Sequence, residues 1–474
     1  MSVITNDSTV TAIPTNQNKL KREFKVISAA TLGFTLVSPI VALYAVFGFA
    51  LQAGSGASIW GFVVCICFQF LVALVFAELV SKWPLAGGVY QWTRKMMGNQ
   101  VAWYAGWVYI CTLICGLSLI AYSSSTYIGA IFGYESLSSE MAKYIAIAVV
   151  IFSTLVNIIG RKTLKFFMFA ALFSELIGSI GIATWLLMFH QVNDLSIFTH
   201  TADIDLTTYF TGASFATVLA IIGFSFFGFE SVGSIAEEIK NPDKEAPKAL
   251  LISLFAIGAV VTYTATALIL AIPNLSAILS GDVADPVVEI LMTSLGSEIM
   301  VPLMVLFSIA FVAALIAVQT GLSRVIFGLA REKELPLSKV LGKLSTKTTV
   351  PTAAIIAIGL IVSVILSFAG ENTLIILLSL TTAGFFISFL FPTISAFIYK
   401  LKGLWEPSTF NLGSFSIVIN IIALIWLIFS TINVAWPRTP EAIWYMNWAV
   451  VLAGSSVLVI GFIIHNLCIK NIKK

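Results

Sequence analysis

The sequence predicts an all-α integral membrane protein of twelve transmembrane helices, and three observations carry that expectation. Of 474 residues, 59% are hydrophobic and only 10% are charged, whereas an ordinary soluble domain carries about 25% charged residues. Mean hydropathy is +1.00. Twelve separate stretches come near the roughly 20 apolar residues that cross the hydrocarbon of a bilayer. The 26 basic and 23 acidic side chains cannot wet a chain of this bulk. A soluble enzyme, a disordered chain and a nucleic-acid binder are therefore excluded.

In chain order the expected spans are 26–53, 58–81, 102–132, 142–160, 166–189 and 212–236, then 247–272, 300–323, 350–369, 372–399, 412–435 and 444–468. They form one domain, 26–468, because no stretch between them is long enough to fold as a soluble unit. Residues 1–25 read as a cytoplasmic N-terminal tail and 469–474 as a cytoplasmic C-terminal tail. The polar start lacks the short apolar core and small-residue cleavage site of a signal peptide. The basic residues test this layout, since cytoplasmic loops hold the Lys and Arg. With both termini on the cytoplasmic side, every basic residue but Lys143 and Arg438 falls there. The outward loops are mildly acidic (Asp194, Asp203, Asp205, Asp282, Asp285), which reads as a solvated rim or a weak attraction for cations. Cys65, Cys67, Cys111, Cys115 and Cys468 form no disulfide framework and read as packing groups.

A helix in lipid is interrupted only where its freed backbone faces protein, ligand or water. The first span reads FTLVSPIVALYAVFG from Phe34, with Pro39 in its middle; a proline lacks the N–H and clashes with the preceding turn. The sixth reads GFSFFGFESVG from Gly223, placing Gly228 and Glu230 in mid-membrane. The two interruptions lie five spans apart, an odd number, so the second set of five helices is inverted relative to the first. Repeat one is 26–189, repeat two is 212–399, and 412–468 supplies two extra helices. Matching broken helices in inverted repeats point to a secondary transporter with its site at mid-bilayer. Half-helix ends offer N–H groups to a carboxylate and carbonyls to an ammonium, which suits an amino acid.

Three acids lie within spans: Glu78, Glu175 and Glu230, none with a deeply placed basic partner in the sequence pattern. Such residues face the bundle interior or a water-filled cavity and are candidate proton carriers. Glu230, at the second break, reads as a gating or coupling residue. Glu175 divides between proton relay and structural acid. Glu78, one turn from Lys82, reads as structural. Phe224, Phe226, Phe227 and Phe229 crowd the second break as packing groups or occluding lids. Gln319, Thr320 and Ser323 form a polar patch that lines a pathway, coordinates an ion or packs.

Four stretches carry a family resemblance: FTLVSPIVALYAVFG (34–48), AELVSKWPLAGGVYQW (77–92), FGFESVGSIAEEIKNP (227–242) and SRVIFGLAREKELP (323–336). With them the chain resembles the amino acid–polyamine–organocation (APC) superfamily, and within it bacterial members of the amino acid/choline transporter group. The resemblance implies a LeuT-type 5+5 inverted repeat plus two extra helices, alternating access and amino acid or related amine substrates. It implies that Ser38, Pro39 and Ile40 bind substrate through the backbone, with Ser-Pro-Ile standing where the family carries a glycine signature. Phe224 and Glu230 match the family's gating aromatic and acid, and Phe227 and Gly228 complete the substrate-binding set. Glu175 falls near a fifth-span lysine of some proton-coupled relatives, so lysine coupling is not expected and the driving ion stays open.

The expected function is thus a secondary active amino acid or amine transporter of the plasma membrane, bacterial inner membrane on this resemblance. Its partners are the small-molecule substrate, a coupling proton or sodium ion, and membrane lipid, with no cofactor and no nucleic acid. Choline, polyamine or gamma-aminobutyrate transport, or exchange of two amino acids, are alternatives within the class. A membrane enzyme is the least favoured reading, since His190, His200 and His465 fit no metal motif and no serine sits in a nucleophile elbow.

Overall fold

The computed structural model describes residues 22, 24–85, 87–134, 136–283, 285–438 and 443–472. The expected tails lie largely outside the described residues. Those described are helical, and an isolated parallel bridge between Phe24 and Ile239 stands in place of a sheet. Eleven helical runs are long and apolar enough to cross a membrane. At the expected span 350–369 the chain forms a shorter apolar helix, Thr352–Ser367, of 16 residues.

The first helix comes in three pieces, Val26–Val37, Pro39–Tyr44 and Phe47–Gly54, followed by Ile59–Lys82. The third, Gly88–Ile131, is 44 residues long and kinks at Gly98, whose φ of 81° only glycine adopts freely. After Ser139–Ile159 the fifth helix runs Arg161–Glu175, widens into a π-helical stretch at Leu176–Gly181 and resumes at Ile182–Phe189. The sixth comprises Ala213–Ile222, a tight turn at Gly223–Phe226 and a short piece, Ser231–Ser234. Pro242–Leu270, Ser297–Arg331, Thr373–Leu401, Ser416–Ala435 and Ala449–Ile472 complete the long helices. The third helix packs along the eighth and tenth, and the second against the seventh.

The polar patch on the eighth helix is packing. Gln319 accepts a hydrogen bond from Ser153 at 2.6 Å and donates to Thr154 at 2.8 Å, locking the eighth helix to the fourth. Three of the loop aspartates act as helix caps. Asp194, Asp205 and Asp285 each accept backbone N–H groups at the start of a short loop helix. The last of these, Pro286–Leu295, lies with Leu275–Ser280, capped by Asn274, in the connection between the seventh and eighth helices.

On the side where the second helix ends, Glu78 is fully buried, and its partner is not Lys82. The Lys400 Nζ of the tenth helix donates to Glu78 Oε2 at 2.7 Å. Leu412 N–H at 2.9 Å and the Ser416 hydroxyl at 2.7 Å complete its shell. Lys82 instead donates to the Glu406 carbonyl at 2.7 Å and lies over the Trp405 ring. The pattern misled because a partner 322 positions away leaves no trace in local spacing.

The last helix lies almost wholly on the outside of the bundle. It is held where Trp107 Nε1 donates to the Val457 carbonyl at 2.8 Å, where Gly461 backs onto Trp107, and where His465 stands against Trp103 with ring centroids 4.8 Å apart.

Candidate functional site

Both expected interruptions are present. At the first, Ser38 takes φ 53° and ψ 96°, ending one helical piece and capping the next, which opens on Pro39. Proline suits that first helical position because its missing N–H is not needed there. At the second, the chain leaves the helical path from Phe227 to Glu230, with Gly228 at φ 99°. A Cβ on Gly228 would approach Val37 Cγ2 to 2.8 Å, so a side chain there is refused by both backbone and neighbour. The two breaks face each other: the Ser225 hydroxyl donates to the Ala42 carbonyl at 2.6 Å.

Each break is held by one carboxyl. Glu175 of the fifth helix is buried, with 1% exposure. Its Oε1 accepts from the Ser38 hydroxyl, and its Oε2 accepts from the Ile40 N–H at 3.0 Å and the Ser179 hydroxyl at 3.3 Å. Glu230, 2% exposed, accepts from the Gly228 N–H at 2.8 Å through Oε2 and from the Tyr109 hydroxyl at 3.0 Å through Oε1. The two shells share a plan: one backbone N–H at the break and at least one hydroxyl from elsewhere. A carboxyl taken out of water needs such donors.

The π-helical stretch explains how Glu175 reaches the first break. Such bulges recur at functional sites. Here Gly178 lets the fifth helix approach so closely that a Cβ would meet Ile40 Cδ1 at 2.7 Å. Tyr44 closes the same contact by donating to the Gly178 carbonyl at 2.7 Å.

Aromatic rings surround the pair of breaks. Phe227 stacks on Phe385 with centroids 4.6 Å apart and planes at 12°, and meets Phe386 edge-on at 4.9 Å. Phe224 sits apart, in a cluster with Ala45, Val46, Leu119, Leu377 and Leu378. Thus Ser38, Pro39, Ile40, Phe227, Gly228, Glu175 and Glu230 converge, while Phe224 belongs to a neighbouring layer. Tyr44, Tyr109 and Ser179 complete the arrangement without having been singled out in the sequence; a tyrosine within a span was the available signal. Beyond Tyr44, Tyr127 hydrogen bonds to Asp285, whose carboxyl burial in the loop pushes its pKa upward. Among the described residues no group of three or more His, Cys, Asp or Glu could hold a metal ion.

A family model described as amino acid permease matches residues 24–459. The chain is 26% identical over 462 residues to an uncharacterised amino-acid permease of Schizosaccharomyces pombe, covering 93% of this chain and 83% of the relative. It is 24% identical to a GABA-specific permease of Saccharomyces cerevisiae, covering 94% and 82%. It is 23% identical to an amino-acid permease of Oryza sativa, covering 92% and 89%.

Proposed function

The chain belongs to the amino acid permease family, within the APC superfamily, and from that premise we propose that it is a secondary active carrier moving an amino acid or related amine across the plasma membrane. It is a multi-pass membrane transporter, not an enzyme. In this reading both termini are cytoplasmic, all twelve helices span, and 26–189 and 212–399 form inverted repeats beside the extra helices 412–468. The backbone at Ser38, Pro39, Ile40 and Gly228 receives substrate, while Phe224 and Phe227 close over it.

One observation carries the mechanism: two broken helices meet, and each break is held by a carboxyl that has no basic partner among the described residues. A carboxyl in such a place alternates between anion and acid when water reaches it from one side of the membrane or the other. Opening toward one side admits substrate and proton, and closure of the aromatic layer then transfers both. The oxygens of Glu175 and Glu230 already accept hydrogen bonds and offer little to a sodium ion, which asks for several oxygens directed at it, so in this reading the driving ion is the proton.

Uptake into proteoliposomes under an imposed pH gradient tests this reading. Glu230→Gln keeps size and one acceptor but cannot carry the proton. Uptake is expected to fall at least about tenfold, equivalent to about 1.4 kcal/mol, with unaltered insertion into the membrane. Wild-type uptake rates in the mutant between pH 5 and 8, or accumulation driven by a sodium gradient alone, would overturn it.

A further inference from the structure

We propose that Glu175 occupies the carboxylate seat of the first break, so that this carrier selects a primary ammonium whose carboxylate, where one is present, is not on the amino carbon. The inference rests on the carrier reading above and concerns what that carrier accepts.

A continuous helix would hand the N–H groups of residues 39, 40 and 41 to the carbonyls of Thr35, Leu36 and Val37. Pro39 has no N–H. Ile40 gives its N–H to Glu175 Oε2 at 3.0 Å, and Val41 gives its own to Ser38 Oγ at 3.4 Å. The Ser38 hydroxyl in turn donates to Glu175 Oε1. The donors that a bound carboxylate would use are thus already taken by the protein, whereas three carbonyls have lost theirs. At the second break the Gly228 N–H and the Tyr109 hydroxyl are likewise taken by Glu230, while the carbonyls of Gly228, Phe229 and Glu230 accept from Ser231, Val232 and Gly233.

What the first break leaves free are acceptors. An ammonium carries three donors and no acceptor, which matches carbonyls without their helical partners. A carboxylate on the same carbon as that ammonium is brought against Glu175, which repels it and already holds its donors. A carboxylate at the far end of a methylene chain escapes the conflict. Glu175 is fixed in place from behind by Ser179 and by the close approach at Gly178, so yielding the seat requires displacing part of the fifth helix.

Positional isomers separate this effect from size and net charge. Binding of 2-aminobutyrate against 4-aminobutyrate, and of 2-aminohexanoate against 6-aminohexanoate, is measured on the purified full chain by thermal shift and by proteoliposome uptake. Wild type is expected to prefer the terminal-amine isomer of a pair by at least about tenfold in apparent Kd. Glu175→Gln keeps an acceptor for the Ile40 N–H and adds a donor for a carboxylate, so the preference is expected to fall toward one while the terminal-amine isomer still binds. Glu175→Ala, which empties the seat, should shift the ratio the same way. Equal or reversed preference in wild type, or a ratio unchanged in both variants, overturns the assignment while leaving the carrier reading intact. Failure of both terminal-amine isomers to bind or to be taken up overturns the assignment as well.

Discussion

Among single residues, Gly228 shows how narrow the tolerance at a helix break is. Its φ of 99° and the 2.8 Å approach to Val37 mean that Gly228→Ala combines backbone strain with overpacking, about 2–4 kcal/mol in total. Gly321 on the eighth helix is the matched control, because a Cβ there meets nothing within 4 Å. Thermal unfolding in detergent is expected to show a clear drop for Gly228→Ala and none for Gly321→Ala; equal melting temperatures would contradict the packing described. The site acids were legible singly, since a carboxyl in an apolar run is conspicuous. Their partners were not. Ser38 and Glu175 are 137 positions apart, and Tyr109 resembles any tyrosine in a span until the fold brings it to Glu230.

Where helices are concerned, the two breaks were readable from Pro39 and Gly228, because proline and glycine act locally on the backbone. The π-helical widening after Glu175 was not, since LIGSIG is compatible with an ordinary helix and the extra residue per turn is set by packing against the first helix. A second unpredicted element is the strap joining the start of the first helix to the chain that leaves the sixth. Phe24 N–H donates to the Glu238 carbonyl at 3.1 Å, and Lys240 N–H donates to the Phe24 carbonyl at 2.9 Å. Two ends tied by their backbones move as one body during any rocking of the bundle. A Phe24→Cys, Ile239→Cys pair, set in the bridge, tests this. Oxidative cross-linking is expected to leave uptake within about twofold of the reduced protein, as for two points on one rigid body. Abolished uptake on oxidation, restored by reduction, would show that the ends separate.

At the scale of the whole molecule, the buried Glu78–Lys400 pair ties the second and tenth helices to the segment that leads into the eleventh. Removing one partner strands a charge and costs about 3–5 kcal/mol, whereas removing both leaves no uncompensated charge. Glu78→Gln and Lys400→Met are therefore each expected to lower the melting temperature sharply, and the double variant to recover most of the loss. Losses that simply add in the double variant would show that the pair has no mutual dependence. The class of the protein was plain from composition, because scarcity of charge constrains every helix alike. Pairings between distant helices were not, because single-chain hydropathy marks apolar stretches but leaves open which faces meet.

The attachment of the last helix has its own consequence. Trp103 and Trp107 grip it at a few points, and the rest of its surface stands outside the bundle. Along that outer stretch one greasy side chain does as well as another. Only near the tryptophan clasp, at Gly461 and His465, does shape become exacting.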